Sequence, residues 1–279
     1  MGDFDADTAV EKVEGVEGRF RARLSRDWEI WGPNGGYVAA IALRAAGAAS
    51  TLRRPATFSA HFLAVADFDF VDLQVTTLRA AKRAESLRVS MTQQGRPILE
   101  ATAWIVGDVD GLEHDVATMP RMPAPGTLRS LEELIPPEDL RQRYAFWNNL
   151  EQRPADFAPW SERAPGAPEW REWCRFRPRS TFVDPFVDAA RSLLLIDTMG
   201  WPATCRAYPQ ENGFIAPSLD VNVHFHRLAP EEEWLLADAV APVAANGLIG
   251  TQGRVWSEDG RLLASGTGQL LCRPVPKAG

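Results

Sequence analysis

Two stretches of the chain are apolar almost without a break, and each is followed by runs in which apolar and polar residues alternate. The first, residues 35–50, is rich in alanine and opens with Pro33-Asn34-Gly35-Gly36. The second, residues 185–199, has Asp184 where a helix N-cap belongs and Pro185 at the first helical position. Both predict helices, and a helix that is apolar on nearly all sides is one enclosed by other elements. The alternating and β-branched runs predict strands at 56–63, 71–80, 86–93 and 97–106, then at 218–227, 234–243, 247–256 and 261–272. One further strand precedes each helix, at 18–30 and 172–182. Gln94-Gly95 and Asp259-Gly260 supply turns between strands.

The order strand, helix, four strands thus occurs twice, and short matches support a duplication. Gly95-Arg96-Pro97-Ile98-Leu99 resembles Gly260-Arg261-Leu262-Leu263-Ala264, and Phe58-Ser59-Ala60-His61-Phe62 resembles Val221-Asn222-Val223-His224-Phe225, at offsets of 165 and 163 residues. The expected class is α+β: a double hotdog, two tandem units each with a central helix wrapped by an antiparallel sheet. The expected units are residues 1–118 and 169–279, with 119–168 as a linker or lid. Prolines crowd the middle stretch, and a short helix is expected at 128–135, stopped by Pro136-Pro137. Phe146, Trp147, Phe157 and Trp160 suggest that this stretch packs on the body.

The 279 residues are 45% hydrophobic and 24% charged, ordinary for a globular protein with a sizeable core. A formal charge of −7 argues against nucleic acid as a partner, so any anion site must be a local arginine cluster. Cys174, Cys205 and Cys272 form no CxxC pair, which fits a reducing compartment rather than a zinc or disulfide framework. The acidic first residues lack a signal-peptide core and no apolar run suits a bilayer, so the expectation is a cytoplasmic protein without membrane partners. Gly-x-Ser-x-Gly and the dinucleotide fingerprint are both absent.

The motifs resemble those of the acyl-CoA thioesterase II family. In the first half the resemblance lies in Gly35-Gly36-Tyr37-Val38, Phe58-Ser59-Ala60-His61-Phe62-Leu63 and Gly95-Arg96-Pro97-Ile98. In the second it lies in Ser218-Leu219-Asp220-Val221-Asn222-Val223-His224-Phe225-His226-Arg227, then Trp234-Leu235-Leu236 and Leu263-Ala264-Ser265. The resemblance implies hydrolysis of an acyl-CoA thioester, in fatty acid metabolism and without a cofactor. An aspartate, a hydroxyl and a glutamine would activate water, with an oxyanion held by a backbone N–H at the start of a central helix. By position the aspartate is Asp197 and the hydroxyl Ser218. The sequence departs at the glutamine: an ungapped match places Gly268 there and Gln269 one residue on, so Gln269 qualifies only if a bulge shifts the register. The family also implies pairing into a homodimer or higher oligomer.

The residues themselves leave alternatives open. Asp197 is either a buried carboxylate with a raised pKa or an exposed aspartate at a helix turn near Gly200. Ser218 is a water-holding hydroxyl or a Pro-Ser turn residue, with Asp220 in reserve on its face of a regular strand. Gly35 and Gly36 either let a substrate approach a helix N-terminus, as a second acyl site, or make a tight turn. His224 and His226 share a strand face but have no evident third metal ligand; with His61 they read as structural histidines at the repeat interface. His226 and Arg227 are also candidates for the pantetheine or phosphate path. A non-catalytic acyl-binding protein and a hotdog hydratase or dehydratase are the rival functions.

Overall fold

The computed structural model describes residues 1–157, 163–208 and 213–275. Trp160 lies outside them. The helices are α1 (Phe4–Asp7), α2 (Gly35–Ala49), α3 (Leu131–Leu134), α4 (Pro137–Leu140) and α5 (Pro185–Cys205). The first-half strands are β1 (Glu11–Lys12), β2 (Arg19–Arg23), β3 (Arg54–Phe62), β4 (Phe70–Ala81), β5 (Ala84–Gln93) and β6 (Arg96–Val106). Then come β7 (Leu150–Pro154), β8 (Glu169–Phe176), β9 (Phe214–Ile215), β10 (Ser218–Phe225), β11 (Trp234–Ala245), β12 (Leu248–Trp256), β13 (Leu262–Leu271) and β14 (Arg273–Pro274).

Twelve strands form one antiparallel sheet in the order β1-β2-β4-β5-β6-β3-β10-β13-β12-β11-β8-β7, while β9 and β14 pair separately. The order β2-β4-β5-β6-β3 recurs as β8-β11-β12-β13-β10, so the duplication is a duplication of topology. The two copies join where β3 meets β10, centred on the Ser59–Asn222 pair, which are also repeat equivalents. Each copy wraps its own helix. Eleven of the fifteen α2 residues are buried, from Gly36 to Gly47, and α5 is buried from Phe186 through Ile196. This is the double hotdog, and enclosing the two helices contributes roughly 1.5–3 kcal/mol for each large apolar side chain that is fully buried.

Three local expectations change. The strand expected at 18–30 ends at Arg23, because the Ser25 side chain accepts from the Asp27 N–H and starts a short 3₁₀ turn that sinks Trp28 into the core. Helix α5 does not stop at Met199. It runs to Cys205, with Gly200 packed so closely on Thr251 that a Cβ there would lie 2.7 Å from the threonine methyl carbon. Asp197 therefore sits inside the helix and not at a terminal turn. The joining segment is also more than a linker: β7 pairs with β8 at the sheet edge, Phe146 is fully buried and Trp147 packs on the core. The helix expected at 128–135 is the shorter α3, which ends before Pro136, and α4 follows it. The outermost strands are short, and β7 ends on Pro154, which blunts both edges against further strand pairing.

Candidate active site

Asp197 lies in α5 at the point where the start of α2 passes from the other half. The α2 N-terminus is fixed by Asn34, whose Oδ1 accepts from the Tyr37 N–H at 2.9 Å while its Nδ2 donates to Thr198 Oγ1 at 3.1 Å. That one buried side chain caps the first helix and ties it to the second. The Gly36 backbone N–H faces the Asp197 carboxylate and acts to lower its pKa. A Cβ on Gly35 would stand 2.9 Å from Asp197 Oδ2, and one on Gly36 would stand 2.7 Å from Leu194 Cα, so only glycines allow this approach. The Pro-Asn-Gly-Gly opening of one half therefore lies against Asp197 of the other.

Ser218 Oγ donates to Asp197 Oδ1 at 2.8 Å. This contact depends on a β-bulge. Val221 and Val223 are buried against the helix side, so a regular β10 would turn Ser218 outward with Asp220 and Asn222. Instead Ser218 pairs with Leu270 and Asp220 with Gln269, leaving Leu219 as the extra residue. The extra residue reverses the face beyond it and sends Ser218 inward.

The same register decides Gln269. A Cβ on Gly266 would touch Ile196 and Val223, so Gly266 and Gly268 face α5, and Gln269 faces the other way. Gln269 sits opposite Asp220 and Gly250, and its backbone N–H donates to Asp220 Oδ1 at 3.1 Å. A bulge exists, but in the neighbouring strand, where it re-aims Ser218 and leaves Gln269 facing outward. The inward-facing position belongs to Gly268, and a Cβ there would be 3.2 Å from Thr251 Oγ1. Asp220 is no alternative carboxylate on Ser218's face.

Asp197 is partly accessible as a residue, yet burial of its carboxyl group raises its pKa from 3.8 to about 6. Burial is the largest cause. The Ser218 and Gly36 hydrogen bonds pull the other way, and the negative charge of Asp220 adds to the rise. A carboxyl poised there is ionised at neutral pH and still basic enough to take a proton.

His226 and Arg227 are not brought to this site. They follow the far end of β10, eight or nine strand steps from Ser218, roughly 25 Å away at about 3.3 Å per residue. His226 Nε2 lies 2.9 Å from Ser265 Oγ, and Arg227 pairs with Asp115 at 3.0 Å. Burial, His224 and Arg227 together lower the His226 pKa. His61 and His224 flank the seam between the halves, opposite Asp220 and Thr57. Among the described residues no three His, Cys, Asp or Glu side chains gather as a metal site.

Among the described residues, two of the surface recesses are large enough for a small ligand. One of about 480 Å³ is lined by Arg21, Arg23, Arg26, Phe68 and Phe70, with no member of the Asp197 cluster, and Arg21 is already paired with Asp72. The other, of about 420 Å³, likewise includes no member of that cluster but is lined by Trp201, one turn along α5 from Asp197.

Residues 24–106 match the model of the acyl-CoA thioesterase N-terminal domain, and residues 118–272 match that of the C-terminal domain. The chain belongs to the acyl-CoA thioesterase family. Solved structures similar to this thioesterase-family chain share its fold. A hot dog fold protein of unknown function from Alicyclobacillus acidocaldarius has 22% identity and a TM-score of 0.81, over 98% of each chain. A putative thioesterase II from Thermobifida fusca has 22% identity and a TM-score of 0.80, over 98% of each chain. Acyl-CoA thioesterase II TesB2 from Mycobacterium marinum has 21% identity and a TM-score of 0.79, over 99% of this chain and 100% of its own.

Proposed function

We propose that the protein hydrolyses acyl-CoA thioesters to the free acid and coenzyme A, with Asp197 as general base. The observation that carries the reading is a carboxylate with a pKa near 6, held by Ser218 Oγ and met by the N-terminus of α2. In this reading Asp197 takes a proton from a water as the water oxygen attacks the thioester carbonyl carbon. Ser218 keeps the carboxylate aimed and shares the water. The Gly35 N–H, at the open end of α2, faces the oxyanion, where the helix end favours negative charge. Collapse breaks the carbon–sulfur bond, and the proton on Asp197 passes to the departing thiolate. No cofactor enters any step. Family membership and the absence, among the described residues, of any helix long and apolar enough to cross a membrane support a coenzyme A thioester as partner and a cytoplasmic site of action.

The test is free-thiol release from acyl-CoAs of graded length, wild type beside Asp197→Asn. Turnover lost in the variant supports the assignment; equal rates overturn it. One observation favours a second reading, binding without turnover: Gly268 stands where the family's glutamine would, and Gln269 faces away. Saturable binding of acyl-CoA with no thiol release by the wild type would select it.

A further inference from the structure

We propose that the recess beyond Asp197 is the acyl-binding pocket and that it selects uncharged acyl groups of limited length. The proposal rests on Asp197 marking the thioester position. The recess, about 420 Å³, is lined by Trp201, Thr204, Phe214, Leu248, Ile249 and Cys272 among others, and no charged side chain lines it among the described residues. Its size falls in the ordinary range for small-ligand sites.

Two independent paths connect it to the carboxylate. Along α5, Trp201 follows Asp197 by four residues, which places it on the same helix face about 6 Å further on. Across the sheet, Ser218 pairs with Leu270 and Leu270 with Ile249, so the pocket wall stands two strand spacings, roughly 10 Å, from the hydroxyl that holds Asp197. Gly200 and Gly268 both pack on the Thr251 side chain, so a threonine is the side chain that fills the ground between. Trp31, from the loop before α2, meets Trp201 edge-on with ring centroids 6.3 Å apart, so both halves contribute aromatic surface beside the site. A thioester carbonyl at Asp197 can therefore send its chain along α5 towards the β11–β12 turn. A terminal carboxylate on that chain would enter an apolar recess without a cation to meet it.

The experiment measures binding by calorimetry to Asp197→Asn protein, which removes turnover as a variable. The probes are coenzyme A, butyryl-, hexanoyl-, octanoyl-, dodecanoyl- and adipoyl-CoA. Affinity is expected to rise by up to about fourfold per methylene until the pocket is full, the equivalent of about 0.8 kcal/mol per buried group. Adipoyl-CoA is expected to bind at least tenfold more weakly than hexanoyl-CoA. Leu248→Trp narrows the pocket from its exposed rim, away from the proposed catalytic groups. It should flatten the rise beyond the shorter chains while leaving the affinity for coenzyme A within about twofold. A chain-length profile identical in the Leu248→Trp and parent proteins overturns the pocket, as does equal affinity for adipoyl- and hexanoyl-CoA. Binding that follows the expected profile with no turnover by the wild type overturns the hydrolase reading and leaves the pocket standing.

Discussion

The start of α2 and the start of α5 are repeat equivalents 150 residues apart, and the chain has made opposite uses of them. Both are capped by a short polar side chain, Asn34 in one and Asp184 in the other. At the first, Gly36 approaches Asp197. At the second, the equivalent residues are Phe186 and Gly47, and the phenylalanine ring lies over the glycine so closely that a Cβ would be 2.5 Å from ring carbon. The strand residue matching Ser218 is Pro55, although both strands carry a bulge at that point. The scaffold, bulge included, is thus duplicated, while the polar groups occur once. Physical cost explains the asymmetry. A buried carboxylate destabilises the fold unless something uses it, whereas Phe186 against Gly47 fills the same kind of space with apolar contact.

The strongest way to break this comparison is Asp197→Asn. Thiol release should fall by roughly 10²–10⁴-fold, the usual contribution of a general base. The fold should respond in the opposite direction. Because the folded pKa, about 6, lies above the reference 3.8, the folded state holds the proton more tightly, and stability declines as pH rises from about 4 to 6. Above that window the asparagine protein should be more stable than wild type by up to about 2–3 kcal/mol, reduced by the partial exposure of Asp197. Denaturant melts at pH 4.5 and 8 check it: the gain should be present at pH 8 and mostly absent at pH 4.5.

Adding one methyl group to each glycine sharpens the contrast. Gly47→Ala pushes into the Phe186 ring and should cost about 1–3 kcal/mol of stability, with activity per folded molecule unchanged. Gly35→Ala pushes on Asp197 Oδ2, which is the end of a side chain and can move. It should cost less stability but at least tenfold in kcat, since small misplacements of a catalytic group are expensive. If both variants lose only stability, the two helix starts do not differ in the way argued here.

Ser218→Ala comes next. It removes the hydrogen bond that holds the Asp197 pKa down, so the pKa should climb above about 6 and the acid limb of the kcat/KM profile should move to higher pH. A tenfold fall in rate at pH 7 is expected, smaller at pH 9. A limb that stays in place while the rate falls would show that Ser218 acts on the water alone.

Most of the architecture was legible because it rests on repeated local patterns. The alternation in β3 to β6 and β10 to β13, and the all-round apolarity of α2 and α5, mark their elements with little help from distant contacts. The Asp197–Ser218 pair was reachable through motif resemblance. Its completion was not, because it depends on which helix start meets which helix interior across the β3–β10 seam, and no local pattern encodes that. Asn34 was legible as a helix opener but not as the bridge to Thr198. The bulge at Leu219 was equally hidden. One extra residue reverses a strand face without leaving a turn signature, and the bulge in β10 re-aims Ser218 while Gln269 keeps the outward register. His226 and Arg227 follow the far end of β10, roughly 25 Å from Ser218, so any part they take in the pantetheine or phosphate path is separate from the Asp197–Ser218 pair.

Gln269→Ala should have the smallest effect, and it tests the register most directly. If Gln269 faces away from α5, as its pairing with Asp220 and Gly250 requires, truncating its amide leaves Asp197 and Ser218 untouched. The rate should stay within about twofold of wild type, because substitutions of surface side chains away from special features shift energies by only about 0.5 kcal/mol. The backbone N–H to Asp220 survives the change, so the negative charge near Asp197 stays where it is. A loss of a hundredfold or more would mean that β13 slips by one residue when substrate binds. Such a slip would carry Gly268 outward and Gln269 inward, and would give this half of the duplication the third polar group that its resting register withholds.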